Sequence, residues 1–339
     1  MEFDWEIPLV AAPMAGGAST PELVAAVTEA GGLGFLAAGY RSAAAMVEQV
    51  HRTRELTGGR EFGVNLFVPG PPAAPEPVAA YRERLLPEAM QWGVELPAAV
   101  APDRDDWDAK LVALFNDPVP YVSYTFGLPT RAEVRAFRSA GMRQLGTVTS
   151  PEEARTATDR GMDALVVQGP EAGGHRGTHR AEDRPNELPL LQLLGEVRKV
   201  TDLPLIAAGG LGDGRAIAAA LRAGAVGAQL GTAYLRADES GASAAHRRAL
   251  TELAATTVTR AFTGRPARAL RNAFIDRHDA YAPTAYPEVH HLTQPLRAAA
   301  AKREDLTAMH LWAGTAHRRT RPGPAAELTR ALWREASDG

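Results

Sequence analysis

The chain has 339 residues, 45% hydrophobic and 23% charged, with a formal net charge of −3 and no cysteine. That balance, with no Lys/Arg run, excludes nucleic-acid binding as the main activity, and no apolar run nears the ~18 residues that span a bilayer. The missing cysteine removes disulfides, thiolate metal sites, iron–sulfur clusters and thiol nucleophiles together.

The acidic start MEFDWEIPLV lacks the basic head and apolar stretch of a signal peptide, so a cytoplasmic location is expected. Along the chain, short apolar runs then recur. They cover residues 8–14 (PLVAAPM), 33–38 (LGFLAA), 62–67 (FGVNLF), 121–126 (YVSYTF), 144–149 (QLGTVT), 164–169 (ALVVQG), 204–209 (PLIAAG) and 227–232 (GAQLGT). Runs of this length and character read as parallel strands buried on both faces. Helical segments lie between them. One opens at Ser19-Thr20-Pro21-Glu22, shows an apolar face of Leu23, Ala26, Val27 and Ala30, and stops at Gly31-Gly32. Another opens at Ser150-Pro151-Glu152-Glu153 and ends at Gly161; a third follows Asp213 and ends at Gly224. Hydroxyl or carboxylate caps, Pro in the first turn and a terminal Gly are helix boundary signals.

Eight such strands alternating with helices predict an α/β fold, a TIM (β/α)8 barrel, with an open doubly wound sheet as the alternative. A barrel takes about 250 residues, so the excess sits in insertions. The expected division is a barrel from 1–68 and 118–236, an insertion over 69–117, and a mainly helical segment over 237–339 that closes the pocket.

In such barrels the site lies beyond the C-terminal strand ends. The seventh run is followed by Gly209-Gly210-Leu211-Gly212-Asp213-Gly214, and the eighth ends in Gln229-Leu230-Gly231-Thr232. Bare backbone N–H groups beside a helix start suit a phosphate; one such pair would read as a tight turn, but both loops in the seventh and eighth slots favour phosphate. The spacing does not fit a dinucleotide fingerprint. The sixth run leads into Gln168-Gly169-Pro170-Glu171-Ala172-Gly173-Gly174-His175-Arg176-Gly177. Gln168 can donate and accept toward a ring edge, and His175 on a Gly-rich loop suits proton abstraction. The plainer reading of His175 is a surface-loop histidine. Asn65 sits polar within an apolar strand, Met14 follows Pro13 at a strand end, and Ser123 and Thr125 end the fourth strand. No G-x-S-x-G elbow is present, so a hydrolase triad is not expected. His175 with His179, or His290 with His291, lacks the carboxylate support of a metal site, and none is expected.

These residues match a known family. Ala12-Pro13-Met14-Ala15-Gly16-Gly17, Gly31-Gly32-Leu33-Gly34-Phe35, Asn65-Leu66-Phe67, the Glu-Ala-Gly-Gly-His-Arg-Gly block at 171–177, Ala207-Ala208-Gly209-Gly210, Gln229–232 and Leu311-Trp312-Ala313-Gly314 resemble the nitronate monooxygenases, which are FMN-dependent barrels. The resemblance implies that Ala12, Pro13, Met14, Asn65, Gln168, Gly173, Gly174, Gly209, Gly210, Gln229, Leu230, Gly231 and Thr232 hold FMN. It implies that His175 takes the proton α to a nitro group, and that a nitronate or nitroalkane and O2 give a carbonyl compound and nitrite. Arg176 either attracts the anionic substrate or is a structural salt-bridge arm. Thr125 stands where some relatives carry a second histidine, and it cannot act as a base. Tyr286 and His290, in the loop over 281–291, are expected to wall the pocket. No nucleic-acid or membrane partner is implied, and a homodimer is expected. A flavin-dependent NAD(P)H reductase of enoyl or quinone type and a non-catalytic flavin-binding protein are the alternatives.

Overall fold

The computed structural model describes Phe3 and residues 5–338. Its frame is a closed barrel of eight parallel strands: β1 (Leu9–Ala11), β2 (Leu33–Ala37), β3 (Gly63–Phe67), β4 (Tyr121–Thr125), β5 (Arg143–Val148), β6 (Ala164–Gln168), β8 (Leu205–Ala208) and β9 (Gly227–Leu230). Each lies within one of the eight apolar runs, except that β5 begins one residue earlier. Val10 pairs with Leu33 on one side and Gln229 on the other, which closes the ring. Alternation sorts the side chains. Val10, Phe35, Tyr121, Leu145, Val166 and Ile206 fill the barrel interior, while Leu9, Ala11, Leu36, Val64 and Val167 pack outward under the helices, as the two-residue period of a strand requires.

The helices are α1 (Pro21–Glu29), α2 (Ala43–Thr57), α3 (Pro75–Trp92), α4 (Trp107–Asn116), α5 (Arg131–Ser139), α6 (Pro151–Arg160), α7 (Leu190–Arg198), α8 (Gly214–Arg222), α9 (Ala244–Glu252), α10 (Ala273–His278), α11 (Glu288–Lys302) and α12 (Ala325–Ser337). The expected caps are present. Thr20 Oγ1 accepts from Leu23 N–H at 3.0 Å, Ser150 Oγ from Glu153 N–H at 3.2 Å and Asp213 Oδ1 from Ala216 N–H at 2.9 Å. Each such cap is worth about 1 kcal/mol. No helix among the described residues is long and apolar enough to cross a membrane.

Two parts of the chain fold differently from the expected division. The 69–117 stretch splits. α3 packs against α11, with Tyr81, Leu85 and Trp92 in a second apolar core, but α4 sends Trp107, Leu111 and Leu114 into the barrel core. α4 is therefore the barrel's own helix before β4. The C-terminal stretch splits as well. α12 returns to the barrel between α1 and α8 and buries Ala325, Leu328, Leu332 and Ala336 there. It completes the ring of helices, and residues 237–324 form an excursion between β9 and α12. That excursion is not purely helical: β10 (Thr256–Thr259) and β11 (Ala267–Leu270) form a small antiparallel sheet that captures β7 (Gly174–His175) from the loop after β6. The Thr-Thr-Val-Thr of β10 carries the β-branched signal of a strand, hidden by the Ala- and Arg-rich helices around it.

Candidate active site

A cavity of about 400 Å³ lies at the C-terminal ends of the strands, over a floor that includes Val166 and Ala208. That volume falls in the range of small-molecule sites, ~300–1,000 Å³. Ala12, Pro13, Met14, Asn65, Gln168, Gly173, Gly174, Gly209, Gly210, Gln229, Leu230, Gly231 and Thr232 all line it, as do Thr125 and His175.

Several of these side chains are held in place by the protein itself. Asn65 is 2% exposed. Its Nδ2 donates to Ser123 Oγ at 2.9 Å and Thr125 Oγ1 at 3.1 Å, which leaves Oδ1 as its remaining polar atom. Thr125 thus serves as an acceptor that orients Asn65. Gln168 ties down the loop that carries His175: its Nε2 donates to the His175 carbonyl at 3.0 Å and its Oε1 accepts from Gly177 N–H at 2.8 Å. At the other end, the N–H groups of Gly210 and Thr232 have no acceptor among the described residues. Thr232 Oγ1 accepts from Gly314 N–H at 2.9 Å, tying the eighth strand end to the excursion.

His175 is fixed twice. Its backbone pairs with Ala267 in β11, and its Nε2 lies 3.0 Å from Thr263 Oγ1. Thr263 Oγ1 also lies 3.4 Å from the Arg265 carbonyl. A hydroxyl donating there accepts from Nε2–H, and this hydrogen-bond pattern assigns the lone pair of the ring to Nδ1. The ring is boxed by Phe126 at 5.6 Å, Tyr286 at 5.6 Å and Trp312 at 5.3 Å between centroids. Burial, and then the positive charges of Arg265 and Arg297, push its pKa down to about 3. The imidazole is therefore neutral at ordinary pH.

Arg265 and Arg297 are themselves unusual. They are 4% and 6% exposed, and no carboxylate among the described residues lies within salt-bridge distance of either. Arg265 sits 4.1 Å over the Phe126 ring and donates to the Thr178 carbonyl; Arg297 donates to the His290 carbonyl at 2.7 Å and to Thr293 Oγ1 at 3.0 Å. Burial lowers both to about 10, still charged at neutral pH. Buried cations without a counter-charge favour an anion nearby. Two bulky aromatics beside them, Tyr40 at φ 65° and Phe126 at φ 75°, occupy left-handed backbone, and both line the cavity. Such strain costs about 1–3 kcal/mol per residue and collects at functional sites. Asp105 Oδ1, from the chain before α4, holds the Tyr40 N–H at 2.7 Å.

Three residues expected on the substrate side do not line the main cavity. Arg176 is 1% exposed and does not line the cavity. It donates to the Gly169, Gln168 and Asn186 carbonyls. It braces its own loop, and no carboxylate among the described residues lies within salt-bridge distance of it. His290 stands behind Tyr40, stacked on it at 4.0 Å. Tyr286 borders an adjoining small pocket with Tyr40, whose hydroxyl it donates to at 3.1 Å, and reaches the main site only through its packing on His175. Conversely, Tyr40, Phe126, His246, His310 and Trp312 line the cavity, and the sequence assigns them no role. Tyr40 and Phe126 follow strand ends and could have been found by that rule; the others come from the excursion, where no strand rhythm marks them. Among the described residues no cluster of His, Asp and Glu could hold a metal.

Comparison with known proteins agrees with this geometry. The family model described as nitronate monooxygenase matches residues 3–335. A protein of Staphylococcus saprophyticus named "Probable nitronate monooxygenase" is 36% identical, over 98% of this chain and 95% of the relative. The crystal structure of a nitroalkane oxidase from Streptomyces ansochromogenes superposes with a TM-score of 0.95 at 51% identity, over 99% of this chain and 97% of that one. FabK from Thermotoga maritima shares the fold, with a TM-score of 0.76 at 24% identity over 98% and 94% of the two chains. The chain belongs to the nitronate monooxygenase family and is an oxidoreductase.

Proposed function

We propose that this protein oxidises nitronates and nitroalkanes with O2 to a carbonyl compound and nitrite, using FMN, with His175 as the base. The family is flavin-dependent in general. The residues present suit FMN. Gly210 and Thr232 offer N–H groups without protein acceptors at the strand ends where barrels hold phosphate,. Asn65 Oδ1, Met14 and the free valences of Gln168 suit a flat ring with mixed polar edges. When bound, FMN supplies the redox chemistry.

The protein's own part is acid–base and electrostatic. Nδ1 of neutral His175 accepts the proton from the carbon next to the nitro group. The C–H electron pair passes into the nitro group, so the substrate becomes an anion as the ring becomes a cation. Arg265 and Arg297 stabilise the first and penalise the second. The new ion pair is what makes a weak base sufficient, because the adjacent anion raises the imidazole pKa as it forms. A nitronate arrives already deprotonated and needs only the positive field. The observation that carries this reading is a neutral imidazole in the cavity wall, its Nε2 engaged by Thr263, near two buried cations with no carboxylate among the described residues within salt-bridge distance.

The test is His175→Gln on flavin-loaded protein. Nitrite release from a neutral nitroalkane should fall by about 10²–10⁴, and release from the preformed nitronate should fall by less than about tenfold. Equal loss on both substrates removes His175 as base. Colourless protein that cannot be reconstituted with FMN removes the whole reading, and rapid anaerobic bleaching by NADPH favours the reductase.

A further inference from the structure

The mechanism above uses one imidazole, but the cavity is lined by three: His175, His246 and His310. His246 has a structural engagement, since its Nε2–H donates to the Trp312 carbonyl at 3.0 Å. His310 has none. Its Nδ1 is shielded and lacks a hydrogen-bond partner, and among the described residues nothing bonds its Nε2. His278 and His317 also have shielded, unpartnered Nδ1 atoms, yet each has placed its other nitrogen, on Glu88 Oε2 at 3.1 Å and on the Leu253 carbonyl at 3.4 Å. Buried polar groups are nearly always satisfied, so an imidazole with neither nitrogen engaged, in a cavity wall, implies a partner that is not protein.

The position fits the substrate. The His310 ring lies 5.7 Å from Trp312, and His175 lies 5.3 Å from the same indole. The two imidazoles flank one ring. Burial and the nearby Arg297 hold His310 well below the usual histidine range, so it is neutral and carries one N–H and one lone pair. A buried lone pair left empty is tolerated more readily than an orphaned N–H. That places the lone pair at the shut-in Nδ1 and the proton on Nε2.

We propose that His310 is a substrate-binding residue whose Nε2–H donates a hydrogen bond to an anionic nitronate oxygen. The inference rests on the function proposed above. A hydrogen bond to a charged oxygen is shorter and stronger than one to a neutral nitro group, so His310 favours the nitronate. The preference is opposite to that of His175, which only the neutral nitroalkane requires. The two imidazoles divide the two substrate forms between them.

The experiment uses flavin-loaded protein with His310→Gln and His310→Asn. A glutamine amide nitrogen reaches the position of Nε2, and an asparagine amide nitrogen reaches only that of Nδ1. Nitrate, a planar anion that cannot react, is titrated while the flavin absorption is followed. His310→Asn should weaken nitrate binding by about tenfold or more, and His310→Gln should remain within about threefold of wild type, the difference being one charge-assisted bond. With ethyl nitronate, His310→Asn should raise KM by a similar factor with kcat within about threefold, and nitroethane KM should move less. Nitrate affinities that are alike in the two variants overturn the proposal and leave an ordered water as the partner of His310. Wild-type protein that binds nitrate in the expected order among variants, yet releases no nitrite from ethyl nitronate, keeps His310 as an anion ligand and refutes the function it was assigned to serve.

Discussion

At the ends of β8 and β9 three glycines, Gly209, Gly210 and Gly231, present main-chain atoms to the cavity and no side chain. The excursion contributes side chains: His246, Met309, His310 and Trp312. The first region is tight at Gly209 and Gly210, both in left-handed backbone. A Cβ on Gly209 would lie 2.9 Å from the Ala172 nitrogen, closer than real Cβ atoms come. The second region can change residue by residue while the barrel stands. A phosphate and a ring that never change suit the backbone end, and a substrate that differs between relatives suits the side-chain end. The two regions should therefore fail separately, one by losing flavin and the other by losing turnover with flavin bound.

The strongest way to break that separation is Gly210→Val. Gly210 sits at φ +71°, and an added Cβ would meet Glu171 Cβ at 3.0 Å. A β-branched residue in left-handed backbone costs about 1–3 kcal/mol. The loop relieves this by leaving that conformation, and the phosphate end loses its shape. The expected result is FMN affinity lowered by about 100-fold, the upper end of that cost at about 1.4 kcal/mol per tenfold, with the barrel's circular dichroism retained. Flavin titration of the apoprotein reads it directly. Wild-type affinity would show that the glycines make turns and nothing more.

A weaker perturbation sharpens the side-chain end. Thr263→Val removes the hydroxyl that fixes His175 Nε2 and hence its lone pair at Nδ1. Turnover of a neutral nitroalkane should drop by about tenfold, below the effect of deleting the base itself, while nitronate turnover and flavin content stay unchanged. Thr263→Ser should restore most of the loss. A drop shared by both substrates would make Thr263 a packing residue.

The same division explains what could be read from the sequence. The barrel was legible because each strand is a short apolar run and each helix carries its own caps, so local signals and the final fold agree. The backbone end was read from Gly-Gly and Gly-Thr falling together at the seventh and eighth strand ends, since either alone could simply make a turn. The side-chain end was not. α12 belongs to the barrel ring yet follows it by nearly ninety residues of other structure, so no rhythm marks it as the missing helix. β10 carries a strand signal, but Ala-Arg-Ala-Leu of β11 does not, and its pairing with β7 is long-range,. Arg176 is a charge beside a base, which suggests electrostatics, and only the folded loop shows its terminal nitrogens turned to the Gly169, Gln168 and Asn186 carbonyls. Arg265 and Arg297 are two arginines in an Arg-rich tail, and only burial distinguishes them.

The smallest effect is the one expected of pH on the base, and its near-absence is informative. A free histidine titrates near 6.5, and a base of that kind would lose activity through the range pH 7 to 5. His175 is pushed down to about 3, first by burial and then by Arg265 and Arg297. Its lone pair stays available down to that pH, so kcat/KM for a neutral nitroalkane should change by less than about twofold between pH 8 and 5. Stability should not be flat over the same interval. His175 at about 3 and His246 at about 4 resist protonation when folded but accept it near 6.5 when unfolded. The unfolded chain therefore binds more protons below about pH 6.5, and the folded state loses stability as pH falls from there toward 4. Thermal melts should show Tm constant above pH 7 and declining below 6.5, while the initial rate on nitroalkane holds. An apparent pKa near 6.5 in kcat/KM would mean that the imidazole at 175 is hydrated and exposed when it works. The aromatic box around it would then have to open before the proton moves.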